Sequence, residues 1–156
     1  MIVRWNWFIL CTDQLTNHLQ EMTTAAPIRV LVVDDNDANR YAISRLLTKK
    51  GAAVSEANTG EQALEQAQDL PHAMLMDIHL PDMTAYHVLE RLRQSPKTAG
   101  LAVILMSAVE PAPQARQMAE AFGVHSFLTL PVLADDLWIV IQAALERNRR
   151  PTRDRV

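Results

Sequence analysis

Between Ile28 and Arg147 the chain alternates short strand-like runs with longer segments of helical period, five of each. That alternation constrains the fold more than any other feature. The runs are Ile28–Val33, Ala52–Ala57, His72–Asp77, Leu101–Met106 and Ser126–Leu130. The first, third and fourth are almost unbroken apolar stretches, the pattern of strands buried on both faces. Strands that alternate with helices pair in parallel, because each helix carries the chain back across one face of the sheet. The expected architecture is α/β: a doubly wound, five-stranded parallel sheet with helices on both faces.

The helical segments carry their own start and stop signals. Asn36 or Asp37 caps the first, which runs to about Lys50 and closes at Gly51. Its apolar stripe reads as Ala38, Tyr41, Ala42, the Arg45 stem and Leu46. Thr59-Gly60-Glu61 opens the second, with Ala63, Leu64 and Ala67 inward, and Pro71 bars its extension. The third spans Thr84 to Gln94 with Val88, Leu89 and Leu92 inward. Pro111 and Pro113 precede the fourth, where proline fits the first turn. That helix carries Ala115, Met118, Ala119 and Phe122 and ends at Gly123. The last runs from about Leu133 to Arg147 on a stripe of Leu137, Val140, Ile141 and Ala144, with Asp135 and Asp136 near its positive end.

Three of the strands finish on polar side chains: the first on Asp34-Asp35, the third on Asp77, the fourth on Ser107. In open parallel sheets the carboxyl edge is where ligands and chemistry collect. Pro81, four residues past Asp77, stops regular structure and leaves that carboxylate facing a loop. Carboxylates crowded at one edge repel and need protons or a cation to coexist. A hard divalent ion with oxygen ligands, Mg²⁺ above all, suits such a set. An aspartate can also attack a phosphoryl group to give an acyl phosphate, with a metal neutralising the transferred oxygens. The spacing therefore suits phosphoryl transfer to Asp77.

Taken together, Val-Val-Asp34-Asp35-Asn36, Met-Asp77-Ile-His-Leu-Pro81-Asp-Met83, Met-Ser107-Ala108 and Phe127-Leu-Thr-Leu-Pro131 make the chain resemble a known family. It is similar to the receiver domain of two-component response regulators, of the single-domain, chemotaxis-regulator-like type, over residues 28–146. The resemblance implies the flavodoxin-like strand order 2-1-3-4-5. It implies that Asp77 is the phosphoacceptor, and that Asp34, Asp35, Asp77 and the His79 backbone carbonyl hold Mg²⁺, with Asp35 the more direct ligand of the acidic pair. Ser107 matches the hydroxyl that turns toward the phosphoryl oxygen, and Phe127 the aromatic switch residue. The implied partners are a histidine kinase or phosphotransfer protein as donor and a downstream protein target. Such a domain is a phosphoacceptor with self-catalysed transfer and autodephosphorylation, not a turnover enzyme.

The sequence departs from the family at two positions. Receivers usually place a lysine before the proline that follows the fifth strand, to pair with the phosphoryl group; here that residue is Leu130. An ionic contact of that kind is worth about 1.5–3 kcal/mol, so its loss weakens the coupling of phosphorylation to conformation. Ala85 stands where glycine is usual, which matters only if the backbone there needs positive φ. Two functions follow. The first is a phosphorylated single-domain regulator that signals by protein contact, through the face of the fourth helix, fifth strand and last helix, where Trp138 is a candidate contact. The second is a degenerate receiver acting as a phosphorylation-independent scaffold.

Other classes fit less well. A haloacid-dehalogenase-type phosphatase, suggested by Asp35-Asn36-Asp37, wants a downstream lysine and second acidic pair that are missing. No Gly-x-Gly-x-x-Gly follows the first strand, which excludes a dinucleotide fingerprint. The histidines His18, His72, His79, His87 and His125 lack metal-ligand spacing, which argues against zinc. At 49% apolar residues the chain can build an ordinary core. It divides into an N-terminal extension at 1–26, a receiver domain at 27–147 and a basic tail at 148–156. From Arg147 onward five arginines face one aspartate, while the body before them is acidic and a poor nucleic-acid surface. The apolar run Ile2–Cys11 is broken by Arg4 and Asn6 and falls short of the roughly 20 residues of a membrane span. Leu15, Leu19 and Met22 recur at helical spacing, so Thr12 to Glu21 reads as a short amphipathic helix; a start of translation at Met22 is the competing expectation. The single Cys11 permits no internal disulfide and fits a reducing, cytoplasmic setting.

Overall fold

A computed structural model describes residues 26–149; the proposed Thr12–Glu21 helix and most of the basic tail lie outside them. The elements in order are β1 (Arg29–Val33), α1 (Asp37–Lys49), β2 (Ala53–Ala57), α2 (Gly60–Gln66) with a 3₁₀ turn at Ala67–Asp69, and β3 (Ala73–Asp77). Then follow α3 (Ala85–Gln94), β4 (Ala102–Ser107), α4 (Pro113–Ala121), β5 (Ser126–Thr129) and α5 (Ala134–Arg149). The strands form one five-stranded sheet in the order β2-β1-β3-β4-β5, and every pair is parallel.

Side chains alternate across the sheet and divide the core in two. Leu31, Val33, Met74, Met76, Val103 and Leu105 face one side and pack with Ala63 of α2, Val88, Leu89 and Leu92 of α3 and Ala119 of α4. Val30, Val32, Leu75, Ile104 and Met106 face the other and pack with Ile43 and Leu47 of α1 and Leu137, Ile141 and Ala144 of α5. Each large side chain sealed this way contributes about 1.5–3 kcal/mol. Burial on both faces explains the unbroken apolar runs of β1, β3 and β4. β2 lies at the sheet edge and is mostly exposed, in keeping with its polar Ser55 and Glu56.

Caps fix where helices begin. The side chains of Asn36, Thr59 and Thr84 accept backbone N–H bonds at the starts of α1, α2 and α3. Gly51 takes φ +85° just past α1, a conformation that strains any other residue. Two stripes differ from the sequence expectation. In α1 the buried residues are Ile43, Ser44 and Leu47; Tyr41 is 63% exposed and lies under the Arg45 guanidinium. Ala38 and Ala42 are too small to orient the helix, and the larger Ile43–Leu47 pair does so instead. In α4 only Ala119 is fully buried, and Met118 is exposed. β5 ends one residue earlier than read, although the Leu130 amide still bonds the Ser107 carbonyl at 2.8 Å. α5 continues to Arg149, two residues beyond the expected end.

Candidate functional site at the carboxyl edge of the sheet

The strand register builds the site. Val33 pairs with Met76, so the next residues along each strand, Asp34 and Asp77, stand side by side. Asp77 in turn pairs with Met106, and Ser107 with Thr129. Asp34, Asp35 and Asp77 each offer a carboxylate oxygen within 4.8 Å of the others, a grouping able to hold a metal ion. Asp34 is buried, Asp77 half-buried and Asp35 exposed.

The electrostatics of this cluster are unresolved by protein groups. One Asp34 oxygen, Oδ1, accepts the Asn36 amide at 2.8 Å. The other, Oδ2, is buried with no partner. Desolvation pushes the Asp34 carboxyl above its usual range; the Asn36 amide opposes this and the Asp35 charge adds to it. Desolvation likewise raises Asp77, reinforced by the Asp34 charge and opposed by the Ile78 and His79 amides. A buried carboxylate with an idle lone pair, beside two like charges, fits a hard cation with oxygen ligands.

The other expected residues are placed as follows. Ser107 is buried, and its Oγ accepts the Val109 amide at 3.3 Å, so the hydroxyl is engaged within its own loop. Phe127 is half-buried against the core beside α4, with the Arg116 guanidinium 5.4 Å above its ring. Arg116 also pairs with Glu110, whose Oε2 accepts the Thr129 hydroxyl at 3.0 Å. Trp138 is half-buried against the opposite cluster. His79 lies in the loop after β3, in an antiparallel bridge with Thr84, and the Ala85 amide bonds the Ile78 carbonyl. Ala85 is not among the residues with positive φ, so this backbone has no need of glycine.

Leu130 packs into the apolar cluster of α1 and α5 and brings no charge to the site. The cation that sequence reasoning missed is Arg40. Its Nη1 donates to the Asp34 carbonyl at 2.7 Å, and it pairs with Asp37 and Glu56. Its charge lowers the Asp34 pKa only weakly, behind the larger effects of burial and Asp35. Its position four residues past the capping Asn36 was its one sequence signal. Asp82 was also missed. From the tip of the β3–α3 loop it accepts the Gly60 amide at 2.8 Å and the Glu61 amide at 2.9 Å.

Comparison with known proteins agrees with this fold. The model of the response regulator receiver domain matches residues 30–142. The chain belongs to that family, whose members serve two-component systems and accept a phosphoryl group on an aspartate. The sensory/regulatory protein RpfC of Xanthomonas campestris pv. campestris (strain 8004) is 35% identical over 122 residues, covering 76% of this chain and 17% of RpfC. The chain thus spans about a sixth of that relative's length. Among solved structures, the chemotaxis response regulator CheY4 of Vibrio cholerae shares 25% identity at a TM-score of 0.70, over 76% of this chain and 99% of that one. The receiver domain of the sensor histidine kinase PA1611 from Pseudomonas aeruginosa PAO1 was solved with a magnesium ion coordinated in its active-site cleft. It matches at a TM-score of 0.70 and 24% identity over 78% of this chain and 99% of that one, a likeness of fold. No described helix is long and apolar enough to cross a membrane.

Proposed function

We propose that this receiver accepts a phosphoryl group on Asp77 from a histidine kinase or phosphotransfer protein and signals through protein contact. The observation that carries the reading is the buried, unpartnered Asp34 Oδ2 within the Asp34, Asp35 and Asp77 cluster. These carboxylates, with the His79 carbonyl, would hold Mg²⁺, which neutralises charge on the site and on the transferred oxygens when bound. An Asp77 oxygen forms the new bond to phosphorus as the donor's bond to phosphorus breaks, and that electron pair leaves with the donor. Ser107 leaves its Val109 contact to bond a phosphoryl oxygen. Val109 before α4, Met118 on it and Leu133 just before α5 are exposed apolar side chains that a partner would contact. Intact mass after incubation with acetyl phosphate and Mg²⁺, beside Asp77→Asn, tests this. A phosphate adduct on the wild type alone supports it; no adduct from acetyl phosphate or from any kinase donor contradicts it.

A second reading is a receiver-shaped scaffold without a phosphorylation cycle. It is favoured by Leu130, which gives the lysine position to the apolar core. Partner binding that is identical for wild type and Asp77→Asn would select it.

A further inference from the structure

We infer that Asp82 is a positioning residue for the cation site, clamping the β3–α3 loop that carries the His79 carbonyl onto the start of α2. The inference rests on the reading that the acidic cluster takes Mg²⁺. It begins with the orphan donors of a helix start. The Thr59 side chain satisfies only Gln62. The Gly60 and Glu61 amides instead reach across the chain to the two oxygens of Asp82. Partial desolvation of that carboxyl is outweighed by these and neighbouring backbone N–H groups, which hold it below the usual range.

A second, apolar contact lies beside the polar one. A Cβ added to Gly60 would stand 2.4 Å from Met83 Cγ and 2.7 Å from its Sδ. The Met83 side chain therefore seats directly on the Gly60 backbone, with Val88 Cγ2 beside it at 3.0 Å from the added Cβ, which would force Met83 to shift. α2 and the 3₁₀ turn that follows it are fixed against the sheet by Ala63 and Ala67, both fully buried. A continuous chain of contacts thus runs from the sheet through α2 and Asp82 to the loop. At the other end of that loop His79 bridges Thr84. Beside the clamp, the loop is held by that bridge, by the Ala85–Ile78 bond and by Ile78, Leu80 and Met83 packed against the core. A carbonyl held this way is pre-organised for a cation that demands near-ideal octahedral geometry.

The test measures Mg²⁺ affinity by calorimetry in the full chain, for wild type, Asp82→Ala, Gly60→Ala and Gly60→Ala/Met83→Ala. Hydrogen exchange of the Gly60 and Glu61 amides reports the clamp directly. Gly60→Ala leaves every charge in place, so it separates loop position from the loss of a carboxylate. Both single variants should bind Mg²⁺ about 10-fold more weakly, with labelling by acetyl phosphate recovering at saturating Mg²⁺. The double variant should regain much of the affinity. In Asp82→Ala the two amides should exchange faster. Wild-type affinity in both single variants, with the wild type itself binding Mg²⁺, overturns the clamp alone. A wild type that binds no Mg²⁺ overturns both the clamp and the metal reading beneath it.

Discussion

The two edges of the sheet handle buried charge in opposite ways. At the amino edge the half-buried Arg93 donates to the carbonyls of Phe122 at 2.9 Å, Ala99 at 2.9 Å, Leu101 at 3.1 Å and Gly123 at 3.2 Å. Desolvation lowers its pKa, but its donors are matched by carbonyls that the end of α4 and the entry to β4 leave open. At the carboxyl edge Asp34 keeps an idle buried oxygen beside Asp35 and Asp77. One edge uses a charge to complete the backbone's hydrogen bonding and so holds the fold. The other leaves charge incomplete and so requires something from outside. The difference separates a structural ion from a functional one more clearly than burial alone does.

The largest effect should come from breaking the satisfied edge. Arg93→Met keeps the stem but strands the carbonyls, and should cost about 2–4 kcal/mol. Denaturant unfolding measures this, while Mg²⁺ affinity of the folded protein should stay unchanged. Breaking the unsatisfied edge should do the reverse. Asp34→Asn removes the buried repulsion, so the metal-free fold should gain about 1 kcal/mol while Mg²⁺ binding falls at least about 10-fold.

A smaller effect lies in pH. Asp34 and Asp77 have folded pKa values raised above the usual carboxylate range. Each therefore contributes stability that is complete below its unfolded value, near ~4, and is lost as pH rises through the raised folded value. Asp82, held below the usual range, acts in the opposite sense, so the informative quantity is a difference. Metal-free wild type should lose stability relative to Asp34→Asn as pH climbs from that carboxylate range toward neutrality, and Mg²⁺ should abolish the divergence. Leu130→Lys is the most modest change. Moving a half-buried leucine out of the α1–α5 cluster should cost about 1 kcal/mol. It should also widen the spectral difference between acetyl-phosphate-treated and free protein; an unchanged difference argues that Leu130 does not limit the response.

Much of the carboxyl edge was legible because strands buried on both faces must be apolar throughout. An aspartate or serine that ends such a run marks the edge, so Asp34, Asp35, Asp77 and Ser107 stood out. Parallel pairing then brought them together. The α1 stripe was misread because its alanines fit either face, and the sheet rather than the helix decided the phase. Asp82 was invisible for a different reason. Its partners lie 21 and 22 residues away, and no local pattern links a loop aspartate to the amides of another helix. Arg93 is similar, since its acceptors are backbone carbonyls without side-chain identity. The Leu130 departure was legible, and the structure adds where its side chain goes.

An acidic edge left incomplete for a cation gains stability when the cation arrives. The unfolding free energy at neutral pH, with and without Mg²⁺, for wild type and Asp34→Asn reads this out. Mg²⁺ at a hundred times its dissociation constant should stabilise the wild type by about 2.7 kcal/mol, and the variant, which binds at least about 10-fold more weakly, by no more than about 1.4 kcal/mol at the same concentration. Stability that is indifferent to Mg²⁺ in the wild type, or that rises equally in both proteins, would contradict it.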